Sequence, residues 1–222
     1  MPTPTSEFKR LIQKAAACRI CPKLAEQPAI LSSGNGSLSA QVVFVAEAPG
    51  RFGAGRTGIP FSGDQSGKNF ETLLNHIGWT REEVFITNAV LCNPLENGNN
   101  RRPTAGEIRN CGFYLGSVLE IIRPNMVVTL GAVGLEAVNH FLGTKHQLAK
   151  NIARPIATEK FTLVPLYHPS PRVIHTRRSL IQQKRDFKKI ASTLSAMHPS
   201  RPCDGSDGAS LDKPPPESYV NR

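Results

Sequence analysis

Residues 41–50 read QVVFVAEAPG: an apolar, mostly β-branched run, Gln41–Ala46, that breaks at once into Glu47-Ala48-Pro49-Gly50. A short apolar run with no polar alternation, closed by Pro and Gly, is the pattern of a strand buried on both faces. Three further runs share it: Val84–Val90 (VFITNAV), Asn125–Leu130 (NMVVTL) and Phe161–Tyr167 (FTLVPLY). Helical patterns lie between them. Ser66–Ile77 places Phe70, Leu73, Leu74 and Ile77 at helical spacing. Thr104–Ile122 opens with Thr104 and Glu107, a capping-box pair, and stops before Pro124. Ala132–Leu142 is a third helix. A fourth, over roughly Thr176–Met197, puts Leu180, Ile181, Phe187, Ile190, Ala191 and Leu194 on one side. Strands alternating with helices predict an α/β fold: three layers, α/β/α, around a central, mostly parallel four-stranded sheet.

Outward from that frame, the chain of 222 residues is long enough for one substantial core. Residues 1–198 are expected to form one domain. Residues 199–222, rich in Pro, Ser, Gly and Asp, with three prolines at Pro214–Pro216, are expected to be a disordered tail. No apolar run reaches the ~18 residues of a spanning helix. The first residues, MPTPTSEFKRLIQKAAACRICPK, lack the apolar stretch of a secretory signal. The expectation is a cytoplasmic monomer with no membrane partner. Lys and Arg number 27 against 17 Asp and Glu, a net charge of +10. That balance favours a polyanionic partner, nucleic acid first.

Five cysteines in a chain without an export signal point to metal or cluster ligation rather than disulfides. Cys18 and Cys21 form a C-x-x-C pair; Cys92 follows a strand and Cys111 lies in the next helix. Four thiolates suit tetrahedral zinc or a [4Fe–4S] cluster, and spacing alone leaves both open. Cys203, in the tail, reads as a bystander.

Ligands of parallel sheets bind beyond the carboxyl ends of the strands. Four segments occupy that edge: Ala46–Gly50, Thr87–Pro94, Leu130–Gly134 and Tyr167–Arg172. His168 follows a strand directly and is either a structural histidine or a site residue. Asn88 is a polar amide inside an apolar strand, where it must find a partner: a neighbouring loop or a ligand. Glu47 is either paired with Arg51 or Arg56 or catalytic, since acids are unwelcome in a phosphate-binding site without a reason. Two decoys fall away. Gly53, Gly55 and Gly58 satisfy G-x-G-x-x-G, but the strand ends too early and no helix is expected to open there. Ser66-Gly67-Lys68-Asn69 lacks the rest of a P-loop.

AEAPG, then GRTGIPFSG, TNAVLC, a helix bearing Cys111, and HPSPR, in that order over Cys18 to Ile190, resemble the uracil-DNA glycosylase superfamily. The four cysteines resemble its iron–sulfur branches, families four and five. Glu47 matches family four, where the motif reads GEAPG; the basic, glycine-rich loop Arg51–Thr57 (RFGAGRT) is similar to family five.

The resemblance implies hydrolysis of the N-glycosidic bond of uracil in single- or double-stranded DNA, with the base flipped into a pocket. Phe61 would stack on that base. Asn88 would pair with uracil N3–H and O4. His168 would hydrogen-bond O2 as negative charge grows there, helped by backbone N–H groups near Glu47 and Ala48. Glu47 would stabilise the cationic sugar and orient water. No Lys lies in these motifs to form a Schiff base, so a monofunctional enzyme is expected. Cys18, Cys21, Cys92 and Cys111 would hold a structural [4Fe–4S] cluster. Seven Lys or Arg from Arg172 to Lys189 face one acid, Asp186. Arg172 would fill the gap left by the flipped base; Ser170, Arg177 and Arg178 would contact phosphate. The competing expectations are a non-catalytic nucleic-acid-binding module braced by a metal cluster and a small iron–sulfur electron carrier.

Overall fold

In the computed structural model, which describes residues 3–197, Val42–Ala46 forms β1, and all five of its residues are buried. Residues 1, 2 and 198–222 lie outside the described residues, and with them the expected tail and Cys203. β1 pairs in parallel on both sides. Phe85–Asn88 (β2) runs along one edge and Met126–Leu130 (β5) along the other. Thr162–Leu166 (β7) pairs in parallel with β5. These are the four strands expected from sequence. A fifth, the two-residue Ile156–Ala157 (β6), closes the β7 edge antiparallel and is too short to read from a pattern. A hairpin of Leu95–Glu96 (β3) and Asn99–Asn100 (β4) stands apart from the sheet.

Because β1 is apolar throughout, its alternating side chains serve two cores. Val43 and Val45 face one layer: Pro4–Ala16 (α1), Ala105–Ile122 (α4) and Ala132–Leu142 (α5). Val42, Phe44 and Ala46 face the other, with Gln65–His76 (α3) and a long C-terminal helix, Leu180–Met197 (α8). Phe44 sits between Phe70 and Phe187, with ring centroids 5.1 and 5.9 Å away. No described helix is long and apolar enough to cross a membrane.

Several boundaries differ from the sequence reading. One turn of helix, Ala54–Thr57 (α2), does open inside the glycine-rich loop and ends at once on Gly58, which takes the left-handed conformation (φ 73°). The helix expected over roughly Thr176–Met197 begins four residues later, as α8, and a separate short helix that the pattern did not show, Pro171–Thr176 (α7), precedes it. At the break Arg178 turns inward to Asp186, while Ser179 and Gln182 exchange hydrogen bonds at the start of α8. A short helix, Leu148–Asn151 (α6), precedes β6. Capping works as read at α4: the Thr104 hydroxyl accepts from Glu107 N, and the Glu107 carboxylate accepts from Thr104 N at 2.7 Å.

Candidate active site

The chain leaves β1 for β2 on one side and returns to β5 on the other, so the carboxyl end of β1 is the point where strand order reverses. A crevice opens there for purely topological reasons. It is a cavity of about 500 Å³, large enough for a nucleobase and part of its sugar. Glu47, Ala48, Phe61, Asn88, His168, Ser170 and Arg172 all line it, drawn from the ends of β1, β2 and β7 and the loop before α3. Three of the four edge segments meet there. The fourth, Leu130–Gly134, is a packing device: a Cβ on Gly134 would lie 2.3 Å from the Val45 carbonyl oxygen, so only glycine lets α5 lie against β1.

Asn88 closes β2 opposite Ala46 and is buried. Among the described residues its Nδ2 has no hydrogen-bond partner, although a buried amide donor without one is costly. Glu47 is half-buried and makes no ion pair among the described residues. Arg51 instead donates to the Gly98 carbonyl, and Arg56 to the Gly63 carbonyl. Burial raises the Glu47 carboxyl above its ordinary pKa, against the opposing pull of Arg102. Burial likewise pushes His168 down to about 4, with the Asp64 carboxylate pulling the other way. At neutral pH the imidazole is uncharged and can donate one hydrogen bond without bringing a proton to lose.

Phe61 stacks on Phe70 (4.6 Å, 23° between planes) and stands 5.3 Å from the His168 ring. Its φ is +50°, a conformation a bulky side chain rarely adopts, and its surroundings hold it there. Arg81 donates to the Pro60 and Phe61 carbonyls, and Gly67 leaves room for the Phe61 carbonyl, which a Cβ would meet at 2.4 Å. Asp64 caps α3, accepting from Gly67 N at 2.9 Å, and also lines the cavity. Ser170 caps α7 by accepting from Val173 N, which leaves its hydroxyl hydrogen free to donate. Arg172 and Arg177 are exposed. Arg178 departs from the phosphate-contact expectation: two of its nitrogens bind the buried Asp186 carboxylate at 2.9 and 2.6 Å.

On the other face of the sheet's edge, Cys18, Cys21, Cys92 and Cys111 line one small cavity, although Cys18 and Cys111 are 93 residues apart. Asn110 Nδ2 reaches Cys21 Sγ at 3.4 Å. Burial pushes the Cys92 thiol up to about 11 and Cys111 up to about 12, and the neighbouring thiols add to both. No three of the described His, Cys, Asp or Glu side chains are arranged for a single metal ion.

Residues 33–195 match the family model described as the uracil DNA glycosylase superfamily. The chain belongs to the uracil-DNA glycosylase superfamily. It is 32% identical to a type-4 uracil-DNA glycosylase of Archaeoglobus fulgidus over 86% of this chain and 94% of that one. It is 36% identical to a type-4 enzyme of Thermotoga maritima over 71% and 79%. With a type-5 uracil-DNA glycosylase of Pyrobaculum aerophilum it shares 29% over 86% and 94%. Relatives of both types fit a chain that joins Glu47 to the RFGAGRTG loop. In this member of the superfamily three supporting residues escaped the sequence reading. Arg81 holds the Pro60-Phe61 backbone. Asn69 donates to the Pro169 carbonyl at 2.8 Å and so ties the His168 loop to α3. Arg101 lines the cavity and grips Glu107 with two nitrogens at 2.8 and 2.6 Å. None carries a local signal, because each partner is distant in sequence or becomes a partner only once the loops fold.

Proposed function

We propose that the chain hydrolyses the N-glycosidic bond of uracil in DNA as a monofunctional base-excision enzyme, with the flipped base held in the cavity at the end of β1. The observation that carries the reading is the unpartnered, buried Nδ2 of Asn88 in the same cavity as Glu47 and His168. Uracil O4 would accept from that Nδ2, and its N3–H would donate to Asn88 Oδ1. Cytosine reverses the pattern and leaves buried groups unpaired, which discriminates strongly. Phe61, fixed against Phe70, offers its ring to the base. Water adds to C1′ as the C1′–N1 bond breaks and its electron pair leaves with uracil. Neutral His168 donates to O2 where negative charge collects. Glu47, its pKa raised by burial, faces the developing cation and takes the proton of the water.

Ser170, Arg172 and Arg177 would meet the DNA backbone, and Arg172 would occupy the space that the base vacates. Cys18, Cys21, Cys92 and Cys111 would hold a [4Fe–4S] cluster. Four thiols lining one small cavity, of which buried Cys92 and Cys111 resist ionisation, fit a group whose positive iron would stabilise them as thiolates. The cluster would serve as a brace between the end of α1, the end of β2 and α4. The test is purified protein, in excess, on oligonucleotides carrying uracil, hypoxanthine, xanthine or a thymine mismatch. Uracil should be released, and the strand should break only after alkali. Binding without release of uracil would overturn the reading in favour of a non-catalytic module.

A further inference from the structure

Phe52 is 62% exposed on the loop that walls the cavity, yet nothing about that loop is loose. Gly53 N and Gly55 N both donate to the Gly50 carbonyl, at 3.1 and 2.9 Å. The Asp64 carboxylate fills the space where a Cβ on Gly53 would stand, at 2.5 Å, so the turn closes tightly against it. Arg51 N donates to Asn100 Oδ1 at 3.0 Å, and the Arg51 guanidinium donates to the Gly98 carbonyl, which fastens the loop to the β3–β4 hairpin. The same guanidinium lies 4.3 Å over the Phe52 ring. A fixed backbone thus holds an aromatic ring in water, with a cation on it. Gly50 and Ala54, on either side, line the cavity; Phe52 itself does not.

We propose that Phe52, backed by Arg51, is a stacking platform for the base next to the flipped uracil. The inference rests on the reading of the cavity as a uracil pocket and extends it to the neighbouring nucleotide. A ring inside the cavity would serve the extruded base, and Phe61 is there already. A ring on the outer rim meets what enters beside it. Flipping one nucleotide unstacks its neighbours, and an aromatic face replaces the lost contact with any base, because every base has a π-face. The guanidinium on the ring strengthens the platform and supplies positive charge beside the strand.

The test uses single-stranded oligonucleotides with 2-aminopurine on the 5′ or the 3′ side of uracil. One set carries 2′-fluorinated deoxyuridine, whose electron-poor sugar resists cleavage, so that binding is read alone. In the wild-type complex, 2-aminopurine fluorescence should be quenched on one side of the uracil. F52A should lose that quenching and raise the half-saturating enzyme concentration about tenfold. Its maximal single-turnover rate on cleavable uracil should stay within about threefold. F52W should restore both signals, and F52L should restore neither, because leucine fills space without a π-face. Equal binding and equal fluorescence for wild type and F52A on both sides would overturn the platform while leaving the uracil pocket standing. A wild-type protein that neither releases uracil nor prefers uracil strands over thymine strands would overturn both.

Discussion

Asp64 accepts the Gly67 N–H with one oxygen and presses the other against the loop at Gly53, so its carboxylate is held from two sides. Glu47 has no such ties among the described residues, and burial raises its pKa against the weaker pull of Arg102. For an acid, a raised folded-state pKa means that the charged form destabilises the fold at neutral pH. Glu47→Gln should therefore keep or slightly raise the melting temperature. It should also slow single-turnover release of uracil by roughly 10²-fold or more, the scale of a lost electrostatic contact to developing charge. DNA affinity should hold or improve as a negative charge leaves. Asp64→Asn should retain activity, since Asn caps about as well as Asp. An active Glu47→Gln beside a folded but inactive Asp64→Asn would move the catalytic role to Asp64.

The break between α7 and α8 shows how one residue can organise an element. Arg178 closes on Asp186 eight residues later, whereas a helix running straight through Thr176–Met197 would set their backbones about 12 Å apart along its axis. Asp186 is 1% exposed, so removing Arg178 would leave a buried carboxylate without its partner. Arg178→Ala should cost about 3 kcal/mol in chemical denaturation, as broken buried pairs do. Arg177, exposed one position earlier, forms no ion pair among the described residues. Arg177→Ala should leave stability unchanged and reduce the slope of log affinity against log salt by roughly one. The opposite assignment of stability and salt effects would mean that the two arginines exchange roles in solution.

At the scale of the molecule, the cysteine cavity joins the end of α1, the end of β2 and the middle of α4. Tyr114, also on α4, donates to the Lys14 carbonyl of α1 at 3.1 Å. A group bound by all four thiols would cross-link the layer that backs the active-site strand. Anaerobically purified protein should carry about four irons per chain. Cys92→Ser should lose them and melt at lower temperature. Stoichiometric zinc without iron would overturn the cluster assignment.

Four parallel strands, α5 to its exact ends and the Thr104–Glu107 cap were legible in the sequence, because burial period and cap chemistry are local properties. The cysteines and the edge motifs were legible as residue types that ordinary packing does not call for. β6 was not, since two residues carry no period. Nor was the inward turn of Arg178, which reads from sequence as one more charge on a basic helix. The duties of Arg81, Asn69 and Arg101 also emerge only in three dimensions, since their partners are carbonyls and a carboxylate brought close by folding. The sequence by itself determined which residues could do chemistry and on which strand ends they stand. Only the tertiary structure decided that, among the described residues, Asn88 keeps a free donor and Glu47 forms no ion pair, and that Phe52 is held in water. Hydrogen-bond satisfaction and desolvation are properties of the folded surroundings of an atom and not of the residue that carries it.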